Sequence, residues 1–310
     1  MNAFSWIALF SVSVVAQAQD IASFWRSTLL RLASEPIEAT VQDTREPLPY
    51  KKYRIEYRSL DGVHVRAYLA LPIRGGERTR PFPAVVTAPG YGGSQQGLML
   101  DECQRGYAIL QVFPRSQGPS AELWKIDGPE KLTWNLKQPR GAYYEGAYAD
   151  VIRGIDYLVS RPDIDRQRIA IAGTSQGGGI ALAVASLDQR VKAVVAHVPF
   201  LCDMRSAART EGSLIKQLLD KALMNDEQHL TVLDHFDPLK LAPGLKAPAL
   251  ISSGGKDTVC PAETIRAVFD SVAGTKSLFH DTELPHTSSE RFYRMTWDWL
   301  DTYIQRAQVN

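Results

Sequence analysis

One pentapeptide limits the folds open to this chain more than any other feature. Gly173-Thr174-Ser175-Gln176-Gly177 matches the pattern G-x-S-x-G. A predicted strand (168–172) precedes it, and a predicted helix rich in small residues (178–183) follows it. A serine in that context is typical of a tight strand-to-helix turn that presents a nucleophilic hydroxyl. The alternatives are a plain tight turn and a phosphate loop, but a phosphate loop would require a Gly-Lys-Ser/Thr ending, which this segment lacks.

The rest of the chain has the pattern of a mostly parallel sheet. Residues 51–72 alternate around a turn at Asp61-Gly62, which predicts an antiparallel hairpin. Short apolar runs typical of strands buried on both faces then alternate with helical patterns. The predicted strands are 84–86, 108–112, 169–172, 191–196, 249–251 and a more polar 278–284; the predicted helices are 21–31, 144–160, 177–187, 262–272 and 288–308, with a linker over 36–49. This order predicts the α/β-hydrolase fold, with helices on both faces of the sheet.

A nucleophilic serine needs a base and an acid, which in this fold follow it in the order Asp, then His. His286 lies after the last predicted strand, just before Thr287-Ser288-Ser289-Glu290, which we interpret as a capping box opening the final helix. Asp257 follows the strand before it, where a carboxylate can orient the imidazole and stabilise its charged form. The alternatives are His280, Asp237 and Asp281, which lie within or before predicted strands.

The oxyanion formed during attack needs two backbone donors. One is predicted to be the N–H of Gln176, the residue after the nucleophile. The other is predicted to be the N–H of Tyr91, in the glycine-rich loop 88–93 that follows the first parallel strand. An ordinary glycine-rich turn is the alternative interpretation of that loop.

The N-terminus has the pattern of a signal peptide. An uncharged, mostly apolar run (3–16) ends in Ala16-Gln17-Ala18, which resembles a signal-peptidase site, although no Lys or Arg lies near the start. The sequence therefore predicts a signal peptide over 1–18, a single α/β domain over 19–310, and a secreted or periplasmic protein with no membrane span in its mature form. The alternative is a buried N-terminal helix.

The composition limits which binding partners and cofactors the sequence predicts. With 310 residues and a formal net charge of +1, the chain fits one large domain and carries no excess charge that would attract nucleic acid. The cysteines, Cys103, Cys202 and Cys260, are too few for a disulfide scaffold, and their spacing fits no metal site. We expect neither metal nor organic cofactor. In an exported protein Cys202 and Cys260 could form a disulfide, because both follow strands that end beside the expected site.

Several motifs resemble those of the acetyl xylan esterase and cephalosporin C deacetylase family, carbohydrate esterase family seven. The most specific stretch is 169–203, with its G-x-S-Q-G-G core and the segment Val198-Pro199-Phe200-Leu201-Cys202. Asp257-Thr258-Val259-Cys260-Pro261 resembles the loop that bears the family's acid, and Arg115-Ser116-Gln117 resembles its Arg-Gly-Gln motif. The resemblance covers about residues 21–304. The sequence departs from the family at Pro89, Ser116 and Thr287, where the family has His, Gly and Glu.

The resemblance implies a serine esterase that deacetylates sugars or oligosaccharides through an acyl-enzyme. It also implies that Arg115, Gln117 and Pro199 bind substrate or support the site, and it is compatible with a homo-oligomer. Tyr91 and Pro199-Phe200 are expected to flank Ser175 and leave room for a short acyl group. The alternatives are a broader carboxylesterase, a peptidase-like hydrolase, and a non-catalytic carbohydrate-binding relative.

Overall fold

A nine-stranded sheet organises the protein. The computed structural model describes residues 3–73, 80–93, 98–287 and 289–305, with side chains from Gln17 onward. The strands are β1 (Thr40–Asp43), β2 (Tyr50–Arg58), β3 (His64–Pro72), β4 (Phe82–Ala88), β5 (Ala108–Phe113), β6 (Ile164–Thr174), β7 (Val191–His197), β8 (Ala249–Gly254) and β9 (Lys276–Asp281). The helices are α1 (Ala3–Ser34), α2 (Tyr143–Ser160), α3 (Gln176–Leu187), α4 (Met204–Ala207), α5 (Leu214–Lys221), α6 (Glu227–Leu233), α7 (Pro238–Leu241), α8 (Ala262–Ser271) and α9 (Glu290–Leu300).

The topology confirms the predicted fold class. The strand order is β1-β2-β3-β5-β4-β6-β7-β8-β9. Strands β1 to β3 pair antiparallel and β3 joins β5 antiparallel, whereas β4 to β9 pair with one another in parallel. The carboxyl ends of the parallel strands therefore meet at one edge, where ligands of open α/β sheets bind.

Alternate residues of the buried strands pack into two apolar cores, one on each face of the sheet. Ile169 and Ile171 of β6 belong to the core beneath α2, α3 and α8, and Ala170 and Ala172 belong to the core beneath α9. Because helices cover both faces of the sheet, the sequences of these strands are largely continuous apolar runs. Their positions could therefore be predicted from the sequence.

The structure corrects several predicted boundaries. The expected linker over 36–49 contains the short edge strand β1, which pairs with β2. The last strand ends at Asp281 rather than at residue 284, and α9 ends at Leu300, followed by a wider turn over Asp301–Gln305. The predicted continuation over 306–308 lies outside the described residues.

The segment between β7 and β8 contains four short helices, α4 to α7, that the sequence analysis did not predict. Each has eight residues or fewer. Such lengths span too few turns to give a clear 3.6-residue apolar period, so the pattern was not detectable.

The N-terminal helix α1 is longer than the predicted 21–31 and runs through the expected cleavage point after Ala18. From Ile21 onward it packs on the domain: the Trp25 indole donates to the His235 carbonyl at 2.7 Å and stacks on Tyr148 at 5.7 Å. Across the described residues, none of the helices has the length and apolar character needed to cross a membrane. The signal peptide itself remains a prediction.

Candidate active site

Ser175 lies at a strained turn between β6 and α3. Its backbone has φ 54° and ψ −122°, and its N–H donates to the His197 carbonyl at 2.9 Å. The two motif glycines are required by close packing, because a Cβ on Gly173 would lie 2.3 Å from the Gly177 backbone and one on Gly177 would lie 2.2 Å from the Ala88 carbonyl. The turn thus presents the Ser175 hydroxyl at the carboxyl edge of the sheet.

His286 and Asp257 meet Ser175 there, as the sequence analysis predicted. His286 Nε2 lies 3.0 Å from Ser175 Oγ, and His286 Nδ1 lies 2.8 Å from Asp257 Oδ2. The other Asp257 oxygen accepts the backbone N–H groups of Val259 and Cys260 at 2.9 and 2.8 Å. The Asp257 side chain is fully buried, whereas that of His286 is 24% exposed. These contacts fix the carboxylate and allow the imidazole to take a proton from the serine hydroxyl.

The rival residues have other partners. His280 Nδ1 lies 2.9 Å from Ser253 Oγ, and Asp237 accepts backbone N–H groups at the start of α4 and α7. Asp281 Oδ1 accepts the N–H of Glu283. None of these contacts involves Ser175.

The predicted capping box at the start of the final helix is wrong in its details. The N-cap of α9 is Ser289, whose hydroxyl accepts the Phe292 N–H at 3.3 Å. Glu290 is therefore the first residue of the helix rather than the third, so it is not placed to close a capping box. The helix nonetheless begins at Glu290, four residues after His286.

Two buried amide side chains hold the glycine-rich loop 88–93 against the turn at Ser175. Gln117 Nε2 donates to the carbonyls of Gly90 and Tyr91 at 3.1 and 3.2 Å. Gln176 Nε2 donates to Gln117 Oε1 at 3.0 Å and to the Pro89 carbonyl at 3.3 Å. The loop that carries the predicted donor Tyr91 is therefore held beside the backbone of Gln176, the other predicted donor.

Tyr144 completes this network, and the sequence analysis missed it. Its hydroxyl, fully buried on α2, donates to Gln176 Oε1 at 3.1 Å. That bond fixes which end of the Gln176 amide faces the loop, since the oxygen is engaged by Tyr144 and the nitrogen is free to donate. A buried tyrosine on an apolar helix gives no sequence signal for this role.

Tyr91 and Phe200, which the sequence analysis expected on the two sides of Ser175, contact each other in the structure. Their ring centroids lie 5.7 Å apart in an edge-to-face arrangement. The Tyr91 hydroxyl accepts the Leu132 N–H at 3.1 Å and donates to Glu130 at 3.2 Å, so two hydrogen bonds hold the outer end of the ring. Pro199 lies against α3, where a Cβ on Gly178 would come within 3.2 Å of it.

Arg115 lies behind the site as a structural residue. It is buried and forms a bidentate pair with Asp150, at 3.0 and 2.8 Å, and it donates to the Leu60 carbonyl. Ser116 has φ 64°, in the left-handed region where glycine is favoured, and this matches the glycine found there in the family resembled. The Ser116 hydroxyl accepts the Ile126 N–H at 3.3 Å, which helps to hold this conformation.

His197 is a second histidine close to the site that sequence reasoning did not single out. Its ring stacks on Phe292 at 4.5 Å and its Nε2 accepts the Ser289 N–H at 3.4 Å. Burial and then the nearby His286 lower the pKa of His197 to about 4. A neutral imidazole at the end of β7 thus connects the nucleophile turn to the start of α9.

The three cysteines are free, buried thiols, so the Cys202–Cys260 disulfide is not formed. Burial raises the pKa of both thiols well above the ordinary value. Ligand atoms of Cys260, Asp257 and His286 lie within 4.8 Å of one another, and these residue types can hold a zinc-like ion. His286 is, however, hydrogen-bonded to Asp257 on one side and to Ser175 on the other, as a proton-transfer chain requires.

Comparison with known proteins identifies relatives over most of the chain. The family model described as acetyl xylan esterase (AXE1) matches residues 12–302. The acetyl esterase Axe7A of Xylanibacter ruminicola is 26% identical over 294 residues, which cover 90% of this chain and 66% of that protein. The uncharacterized peptidase YuxL of Bacillus subtilis is 26% identical over 69% of this chain and 32% of its own length. The chain thus spans less than two thirds of these two curated relatives.

Solved structures agree with this fold. The acetyl xylan esterase from Paenibacillus sp. R4 superposes with a TM-score of 0.83 at 26% identity, covering 92% of this chain and 94% of that one. Acetyl xylan esterase 1 from Thermoanaerobacterium sp. JW/SL YS485 gives 0.81 at 21% identity, with 91% and 92% covered. An acylaminoacyl peptidase from Pyrococcus horikoshii gives 0.67 at 19% identity, covering 85% of this chain and 43% of that one, and shares the fold.

Proposed function

We propose that this chain, which belongs to the acetyl xylan esterase family, is a serine esterase that removes acetyl groups from acetylated sugars or oligosaccharides. The observation that carries the proposal is the hydrogen-bonded series Ser175–His286–Asp257 at the edge of the sheet. A carbohydrate-binding relative without catalysis would have no use for this arrangement. The family relatives described as acetyl esterases support the choice of acyl group.

In the proposed mechanism His286 Nε2 takes the proton of Ser175 as Oγ attacks the ester carbonyl. The negative charge on the carbonyl oxygen is stabilised by the backbone N–H groups of Tyr91 and Gln176, and one such donor is worth about 10²–10³ in rate. His286 then donates the proton to the departing sugar hydroxyl, leaving acetyl-Ser175. Water activated by His286 releases acetate and restores the serine.

The acyl pocket is proposed to suit acetyl groups. Tyr91 and Phe200 stand edge to face beside the nucleophile, and Tyr91 is tied to Glu130 and Leu132. Stiff walls of this kind resist extra methylenes, which cost about 1–3 kcal/mol in a well-packed site. We therefore expect kcat/KM to be highest for acetyl esters and to fall roughly tenfold or more by butyryl.

Hydrolysis of a chain-length series of para-nitrophenyl esters, measured beside acetylated xylo-oligosaccharides and acylated peptides, tests this proposal. We expect acetate release from the oligosaccharides, a fall in kcat/KM from acetyl to butyryl, and no peptide cleavage. Ser175→Ala should abolish turnover, while His280→Gln, which alters an exposed histidine away from Ser175, should preserve it. Equal turnover of butyryl esters would indicate a broader carboxylesterase, and cleavage of the peptides would indicate a peptidase.

We also propose that the protein is exported and that residues 1–18 are removed. The apolar run ending in Ala16-Gln17-Ala18 supports this, as does packing of α1 on the domain from Ile21 onward, which a chain starting at Gln19 would retain. Sequencing the N-terminus of the protein from its native host should find Gln19 at or near the start. An intact N-terminus in cytoplasmic protein would contradict export.

A further inference from the structure

The loop that follows β7, residues 198–203, has an unusually strained backbone; we call it the acyl-side loop. Val198, Leu201 and Asp203 have φ values of 39°, 73° and 41°. Side chains other than glycine rarely adopt this region, least of all a β-branched valine. Such residues persist only where their surroundings impose the conformation. The loop must therefore be held by contacts.

The near end of the acyl-side loop is held by the nucleophile turn. The Val198 N–H donates to Ser252 Oγ at 3.0 Å, and the Phe200 N–H donates to the Ser175 carbonyl at 2.9 Å. Helix α3 touches the loop directly, since a Cβ on Gly179 would lie 2.0 Å from the Phe200 carbonyl oxygen. Phe200, the proposed wall of the acyl pocket, is thus positioned relative to Ser175.

The far end of the loop is held by one buried carboxyl group. Asp237 Oδ1 accepts the Asp203 N–H at 3.0 Å and Oδ2 accepts the Met204 N–H at 2.6 Å, while Oδ1 also accepts the Leu239 N–H at 2.8 Å. Asp237 is only 1% exposed. Hydrogen bonds to a charged carboxylate are stronger than those to a neutral group, so these contacts can offset part of the strain of the loop.

The backbone that carries Asp237 is itself fixed by two buried aromatic side chains. The Tyr148 hydroxyl donates to the Phe236 carbonyl at 2.7 Å, and the Trp25 indole donates to the His235 carbonyl at 2.7 Å. Asp237 is therefore a rigid anchor, joined through Trp25 to α1 and through Tyr148 to α2.

A small cavity, about 10 Å³ in volume, lies behind the acyl-side loop. It is lined by Pro199, Phe200, Cys202, Ser213 and Cys260, among others. Ser213 Oγ is buried and has no hydrogen-bond partner among the described residues. A volume of this size holds no more than about one water molecule, so the space behind the loop is nearly filled.

From this arrangement we infer that Asp237 is a positioning residue that holds the acyl-side loop, and so Phe200, against the acyl group and thereby sets the preference for short acyl chains. The inference rests on the proposed esterase function and deepens it. Asp237 does not touch the substrate; it acts through the backbone of residues 203 and 204. Releasing that backbone frees Phe200 to shift away from the acyl group, which admits longer acyl groups.

The test compares kcat/KM for acetyl and butyryl para-nitrophenyl esters in the full-length protein. Burial raises the pKa of Asp237 to about 7, so the assays are run at about pH 8.5, where the carboxylate is ionised. Asp237→Ala should lower the acetyl-to-butyryl ratio about tenfold, the effect of one or two methylenes in an apolar pocket. Asp237→Asn keeps one acceptor oxygen and should lower the ratio by a smaller factor, about threefold.

The matched control is Leu158→Ala, which removes a buried side chain near the far end of α2 and should lower the melting temperature without changing the ratio. If Asp237→Ala does not fold, Asp237→Asn decides the matter. A wild-type ratio in the folded Asp237 variants would overturn the inference and leave Asp237 a structural residue. An inactive wild-type protein would instead overturn the proposed function, and the inference with it.

Discussion

The buried His197 makes a quantitative prediction about acid stability. Its pKa is lowered to about 4 by burial and by His286, whereas an unfolded chain has the ordinary value of about 6.5. Between these two values the unfolded state binds a proton that the folded state does not. Stability is therefore fully present above about pH 6.5 and is lost as the pH falls toward 4.

The size of the effect follows from the pKa difference. At about pH 5 the unfolded imidazole is about 1.5 pH units below its pKa while the folded one is still neutral, and each unit is worth about 1.36 kcal/mol. His197 therefore costs the folded protein about 2 kcal/mol at that pH, and almost nothing at about pH 8. His197→Gln keeps an acceptor for the Ser289 N–H but cannot titrate, so this loss should disappear.

Urea unfolding followed by circular dichroism at the two pH values measures this difference. The wild-type protein should lose about 2 kcal/mol more than His197→Gln on going from about pH 8 to about pH 5. His280→Gln, which removes an exposed histidine, should lose as much as the wild type. Equal losses in the wild type and His197→Gln would refute the assignment of a neutral, buried His197.

Three other predictions test the supporting structure. Tyr144→Phe removes the hydrogen bond to the Gln176 amide and should lower kcat for an acetyl ester about three- to tenfold. KM should change little, because the oxyanion donors act mainly in the transition state. A changed KM with unchanged kcat would contradict this. Asp150→Asn leaves the buried Arg115 charge partly unpaired and should lower the free energy of unfolding, measured in urea, by about 3–5 kcal/mol. A decrease of less than about 1 kcal/mol would show that the ion pair is dispensable. A thiol reagent should titrate none of Cys103, Cys202 and Cys260 in the native protein and all three after denaturation without reductant, whereas a single reactive thiol after denaturation would reveal a disulfide.

Much of the fold could be predicted because its strands are buried on both faces. The runs at β4 to β8 are continuous and apolar, so their positions and order were evident, and each candidate in the series Ser175, Asp257 and His286 follows its own run. The carboxyl ends of parallel strands share an edge, so convergence of the three side chains followed from the order of elements alone.

Other features depend on contacts between distant residues and left no local pattern. Tyr144, Gln176 and Gln117 meet across three separate elements, and each alone reads as an ordinary core or turn residue. His197 ends an apolar strand, so its contact with the start of α9 could not be foreseen. The wrong capping box shows the same limit: both Thr287 and Ser289 are good N-cap residues, and tertiary packing selected the second.

The central claim is that Ser175 is acylated during turnover, and acid quenching followed by peptide mass spectrometry tests it most directly. The protein is mixed with para-nitrophenyl acetate, quenched within the first turnovers and digested. We expect one acetyl group on the peptide that contains Ser175 and none in Ser175→Ala, with His286→Gln forming it much more slowly. Turnover with no acetyl on Ser175, or acetyl found only on another residue such as Cys260, would contradict the account.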